Sequence, residues 1–150
     1  MILLDSNILV YAHTAQSPFF EAARRVREQA IQGEIDVCLT PQVLCEFLAA
    51  CTNAKIIRPA LTPAQATREL LIYWTHPQLR KIFPRDHTVE RFAKYVEQYH
   101  LDGQRIYDAF LVATMLDNDV HTLYTLNTKD FERYPEVRVV NPFSHRVVPS

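Results

Sequence analysis

The chain of 150 residues holds only two glycines, Gly33 and Gly103. Average usage of about 7% would supply roughly ten. Because the pair stands seventy residues apart, neither G-x-G-x-x-G nor G-x-x-x-x-G-K-[ST] can be written anywhere. That excludes the dinucleotide fingerprint and the P-loop. It also disfavours propellers and hairpin-rich barrels, whose turns lean on glycine. A protein so built can handle phosphates only through side chains and bound metal.

Other scarcities narrow the class further. No apolar run approaches the ~18 residues of a membrane span. The start, MILLDSNILVYAH, shows no basic leader and no small-residue cleavage site, so no signal peptide and a cytoplasmic location are expected. Three cysteines, Cys38, Cys45 and Cys51, form no C-x-x-C. They read as small buried side chains in a reducing compartment, not as a disulfide or zinc site. Neither sign of charge dominates: 16 Lys and Arg stand against 17 Asp and Glu, a net charge of −1. The length suits one domain.

What is present is an alternation of short apolar runs with helical periods. Residues 2–4, 35–39, 79–83, 121–126 and 137–140 read as strands. Helices are expected at 18–32, stopped by Gly33; at 41–52, capped by Thr40 with Pro41 at the first position; at 62–75, opened by Thr62-Pro63; from a cap at Asp86 to about His100; and over 107–117. Such alternation implies a parallel sheet covered by helices on both faces, with sites at the carboxyl ends of the strands. One domain over residues 1–143 and a short tail at 144–150 are expected.

Several acids sit where the apolar pattern does not want them. Asp5 ends the first strand between Ile2–Leu4 and Ile8–Val10. Glu46 is the one charged residue in PQVLCEFLAACT, and Asp108 heads the stripe Leu111, Val112, Met115. Asn127 follows the fourth strand, with Asp130 three residues on. Each has an ordinary explanation: a helix cap for Asp5, a rim position for Glu46, dipole compensation for Asp108, turn chemistry for Asn127 and Asp130. Together, the topology brings acids from distant segments to one sheet edge. Clustered carboxylates raise each other's pKa unless a cation intervenes, and oxygen donors suit Mg²⁺ or Mn²⁺. The histidines are scattered, without H-E-x-x-H.

The near-neutral total conceals an asymmetry. Residues 51–85 carry six basic residues, Lys55, Arg58, Arg68, Arg80, Lys81 and Arg85, against Glu69, a net of +5; residues 101–136 carry three basic residues and seven acids, a net of −4. Lys55, Arg58, Arg80, Lys81 and Arg85, interleaved with Tyr73, Trp74 and Phe83, are candidates to hold a nucleic-acid backbone and stack bases. Solvated helix faces and core aromatics are the plainer reading.

The segments ILLDSNILVYA, VLCEFLAA, RIYDAFLVATML and TLYTLNTKDF followed by VVNPF resemble, in order and spacing, the PIN-domain ribonucleases. The likeness is greatest to the VapC-type toxins of toxin–antitoxin pairs, and it covers essentially the whole chain. It implies a three-layer α/β fold with five parallel strands in the order 3-2-1-4-5. It also implies a Mg²⁺- or Mn²⁺-dependent endonuclease acting on RNA, with tRNA the family-level expectation, as a homodimer neutralised by a small antitoxin. The family's acidic positions fall on Asp5, Glu46 and Asp108, with Ser6 and Asn7 supporting. The fourth, often aspartate, falls on Asn127, with Asp130 close behind. That departure admits a non-catalytic RNA- or protein-binding module. A cellular ribonuclease without an antitoxin is a variant of the main reading. A phosphotransferase using Asp5 as nucleophile is a rival enzyme class.

Overall fold

The computed structural model describes residues 1–144; the expected tail lies outside them except for Ser144. The elements run β1 (Ile2–Leu4), α1 (Ser6–Tyr11), α2 (Phe20–Ile31), β2 (Val37–Leu39), α3 (Pro41–Cys51), α4 (Pro63–Thr75), β3 (Leu79–Lys81), α5 (Thr88–Gln98), α6 (Gln104–Asp117), β4 (Thr122–Tyr124), α7 (Thr128–Phe131) and β5 (Arg138–Val140). The sheet has five strands in the order β3-β2-β1-β4-β5. Every pairing is parallel, with Leu3 against Cys38 and Leu123 and with Leu4 against Tyr124.

Strands of only three residues suffice because the central ones are buried on both faces. Leu3, Val37, Cys38, Leu39 and Leu123 are fully buried. Each large apolar side chain so placed contributes about 1.5–3 kcal/mol relative to exposure. The chain moves outward from β1 through β2 to β3, then crosses back to β4 and β5. The order therefore reverses between β1 and β4, and the crevice at their carboxyl ends is where such sheets bind ligands.

The helix signals hold at Thr40, whose Oγ1 accepts from the Val43 amide at 3.1 Å. They hold again at Thr62, which forms a reciprocal capping box with Gln65. Gly33 ends its helix with φ +74°, and an added Cβ would lie 2.8 Å from Gln78 Oε1. Elsewhere the expectations need correction. β1 matches its apolar run, whereas the other four strands are shorter than the runs that announced them. Asp86 does not cap α5; His87 occupies the cap without a side-chain bond. Helix α6 begins at Gln104, because Gly103, at φ 56°, turns the chain earlier than the apolar stripe suggests. Asp108 therefore lies in the second turn. Cys45 is exposed, whereas Cys38 and Cys51 are buried, and all three are free thiols. Helix α7, a single turn containing Asp130, was not anticipated.

Candidate active site

Asp5 leaves β1 with its amide still in the ladder, donating to the Tyr124 carbonyl at 2.9 Å. Its side chain then caps α1: Oδ1 accepts from the Ser6 amide at 2.7 Å and from Ser6 Oγ at 3.5 Å. Oδ2 accepts from Thr125 Oγ1 at 2.7 Å and from Asn7 Nδ2 at 3.3 Å. The cap reading thus holds for Asp5, and its second oxygen faces β4. Asp5 is 6% exposed. Burial raises its pKa, the hydrogen bonds from Thr125 and Ser6 oppose that, and the charge of Glu46 adds to it.

Thr125, overlooked in the sequence, is the hub of this edge. Its fully buried hydroxyl donates to Asp5 and accepts from Asn7 Nδ2 at 3.1 Å and from the Asn127 amide at 3.0 Å. Asn7 completes the bridge by accepting from the Leu126 amide at 3.3 Å. The ends of β1 and β4 are thereby locked together around one carboxylate. The signal was available only as a polar residue closing an apolar strand, which is common.

Glu46, half-buried in the second turn of α3, is held by Gln42, whose Nε2 donates to Glu46 Oε1 at 3.1 Å and to the Tyr107 carbonyl at 2.9 Å. Gln42 thus ties α3 to α6 one residue before Asp108. Burial lifts the Asp108 pKa to about 7, reinforced by the charges of Asp5, Asp130 and Glu46 and opposed by Arg133. Four carboxylates from four segments therefore share one electrostatic site. Asn127 contributes no charge, and its side chain makes no cap bond; the acid acting on Asp108 from this corner is Asp130. Arg133 and Gln42 were not anticipated.

The basic candidates divide. Arg80 lies 3.6 Å from Asp36, before β2, and Lys81 Nζ donates to the His76 and Leu79 carbonyls. Both head groups turn toward the amino end of the sheet. Arg85 is at that end too, its amide donating to Thr88 Oγ1, which in turn donates to Asp117 at the foot of α6. Lys55 and Arg58 flank Ile56 and Ile57, which line a groove of about 200 Å³ with Ser6 and Asn7. Of the aromatics, Tyr73 is buried, whereas Trp74 and Phe83 meet edge to face at 5.9 Å and stay partly exposed.

Among the described residues no three donors already form a coordination shell. The donor chemistry nonetheless fits a hard divalent cation: all acids, all oxygen, with Asp108 lifted to about 7 by burial and by the surrounding acids, which outweigh Arg133. The family model for the PIN domain matches residues 2–137. The chain belongs to the PIN domain family. Among curated relatives, ribonuclease VapC48 of Mycobacterium tuberculosis is 24% identical over 140 residues, covering 93% of this chain and 96% of that protein. Among solved structures, VapC20 of M. tuberculosis, described as a Sarcin-Ricin loop cleaving toxin, superposes with TM-score 0.68 at 15% identity, covering 92% of this chain and 99% of that one. A toxin–antitoxin complex from Klebsiella pneumoniae matches with TM-score 0.64 at 22% identity, covering 97% and 100%. These structures share the fold expected from the sequence.

Proposed function

We propose that this PIN-domain protein is a divalent-metal-dependent endoribonuclease and the toxin of a toxin–antitoxin pair. The observation that carries the reading is Asp108, lifted to about 7 by burial and by three other acids at one sheet edge. Such a cluster is costly as structure and useful as a cation site. Full-length likeness to VapC ribonucleases supports the reaction class. Likeness to toxin–antitoxin complexes supports a small antitoxin partner and a dimer.

Asp5, Glu46 and Asp108 would hold Mg²⁺ or Mn²⁺. When bound, the cation makes a water more acidic and neutralises charge gathering on the phosphoryl oxygens. The protein's own residues do the rest. Ser6, Asn7 and Thr125 fix both oxygens of Asp5. Gln42 aims Glu46 and sets α3 against α6. Asp130, exposed and within electrostatic reach of Asp108, would accept a hydrogen bond from the hydrolytic water, and Asn127 shapes the turn that presents it. No protein nucleophile is used, so the phosphodiester is cut by direct hydrolysis.

An antitoxin arginine entering the acidic edge would cancel its charge and close it. The substrate is RNA, with tRNA the family-level expectation, and the setting is the cytoplasm. Among the described residues no helix is long and apolar enough to cross a membrane.

The test is cleavage of a structured RNA in Mg²⁺ by purified wild type, Asp5→Asn and Asp108→Asn. Loss of a cation worth several kcal/mol predicts a fall of roughly three orders of magnitude or more for each variant. Asp108→Asn is the cleaner probe, because Asp5 also caps α1. Wild-type cleavage by a folded Asp108→Asn protein would overturn the assignment.

A further inference from the structure

A phosphodiester cut at the acidic edge must approach four carboxylates. Repulsion of that kind calls for a cationic group of the protein as well as bound metal. The basic run over 51–85 does not bring Arg80, Lys81 or Arg85, which lie toward the amino end of the sheet. Arg105, in the first turn of α6, is engaged by Asp102. The arginine at the edge itself is Arg133. It follows α7, three residues after Asp130. Its charge opposes that of Asp5, Glu46 and Asp130 in acting on Asp108. The Tyr134 hydroxyl feels both Arg133 and Asp108, so the two groups converge on one corner of the molecule.

Two features separate Arg133 from an arginine that only balances charge. Its backbone is anchored on both sides. Phe131 and Tyr134 are 1% and 2% exposed, and Tyr134 packs edge to face on Tyr95 at 5.0 Å and on Tyr99 at 5.4 Å. Its head group, in contrast, is uncommitted. Arg133 is half-buried and forms no ion pair among the described residues. Arg27 shows the other case, lying 3.5 Å from Glu69 and donating to Tyr73. A guanidinium placed to cancel a carboxylate closes on it, because the charged hydrogen bonds of the pair are strong. One that reaches the acids and pairs with none keeps its N–H fork for another group. That fork matches the non-bridging oxygens of a phosphodiester, and it stays charged at any working pH.

We propose that Arg133 is a catalytic residue of this site and binds the scissile RNA phosphate, its guanidinium donating to the non-bridging oxygens from the α7 corner of the acidic edge. It transfers no proton and forms no bond to phosphorus. It holds the phosphate in place and offsets the charge that builds on those oxygens as water adds. The inference rests on the nuclease reading and deepens it by naming the protein group that receives the substrate.

The test compares wild type, Arg133→Met, Arg133→Lys and a neighbouring control, Lys129→Gln, with melting curves to show that each is folded. Two quantities are measured: steady-state cleavage of a structured RNA in saturating Mg²⁺, and calorimetric binding of Mn²⁺ to the metal-free protein. Arg133→Met should lower kcat/KM about a hundredfold. Arg133→Lys should lower it about tenfold, since lysine keeps the charge and loses the fork. Lys129→Gln, exposed on α7, should change it by less than about twofold. Mn²⁺ should bind Arg133→Met at least as tightly as wild type, because a positive charge has left the neighbourhood of the acids. An arginine that only balances charge would leave cleavage by Arg133→Met intact in saturating metal. A structural arginine would lower cleavage and Mn²⁺ affinity together. Either result overturns the proposal. Because wild-type cleavage and its loss in Asp108→Asn are scored separately, a failed arginine assignment and a failed nuclease reading are distinguishable.

Discussion

Helix α1 has a polar cluster at each end, and the two are built on opposite principles. At its carboxyl end His13, Arg27, Glu69 and Tyr73 join α1, α2 and α4. Tyr73 accepts from Arg27 Nε at 2.8 Å and donates to His13 Nε2 at 2.8 Å, while Arg27 lies 3.5 Å from Glu69. Burial lowers the His13 pKa, so the ring is neutral and able to accept. Opposite charges meet and the donors find acceptors. At the other end Asp5 is joined by Glu46, Asp108 and Asp130, with Arg133 as the opposing charge. The first cluster balances its charges within the protein, although Glu69 Oε2 accepts no hydrogen bond. The second becomes complete when a cation enters. Charge balance, more than burial, separates a structural polar network from a functional one.

Breaking the balanced cluster should give the largest change in stability. Arg27→Met removes the partner of Glu69 and a bond to Tyr73. We expect a loss of about 2 kcal/mol, or roughly 4–8 °C in Tm. Thermal unfolding measures it, and cleavage per folded molecule should be little changed. A variant that lost cleavage while keeping its Tm would place this cluster in the reaction.

Relieving the unbalanced cluster should have the opposite sign and a smaller size. Without divalent cations, Asp108 binds its proton more tightly folded than unfolded. The unfolded chain ionises this group first, from its ordinary 3.8, and the folded protein follows near 7. Stability from this group is therefore fully present below about pH 4 and lost as pH rises toward 7. Asp108→Asn should then raise Tm by about 3 °C at pH 8 and leave it unchanged at pH 4. Thermal melts in chelator across that range check it. A variant less stable than wild type at pH 8 would show that the ionised carboxylate is already satisfied within the protein.

The same contrast explains what could be read from the sequence. Asp5, Glu46 and Asp108 were legible because each interrupts an apolar period, and the parallel alternation of elements carried all three to one edge. The strand order came with the resemblance. Thr125 and Gln42 were not legible, since a polar residue closing a strand or opening a helix is ordinary until its partners are known. Asp130 could not be preferred over Asn127, because the α7 turn that presents it is a single turn with no apolar period of its own. The basic run over 51–85 does not stay together in space, for a related reason. Proximity in sequence placed Arg80 and Lys81 with Lys55, whereas β3 sends their head groups toward the opposite end of the sheet. The aromatic at Tyr73 followed the plainer reading and belongs to the core.

On the reading proposed above, the acidic edge is a site for one or more divalent cations. Calorimetric titration of Mn²⁺ into the metal-free protein at pH 7.5, beside Asp108→Asn, decides whether it is. Wild type should bind saturably, with proton release as Asp108 ionises, and the variant should bind at least about tenfold more weakly. Identical titrations for the two proteins, or no heat of binding in wild type at millimolar Mn²⁺, would contradict it.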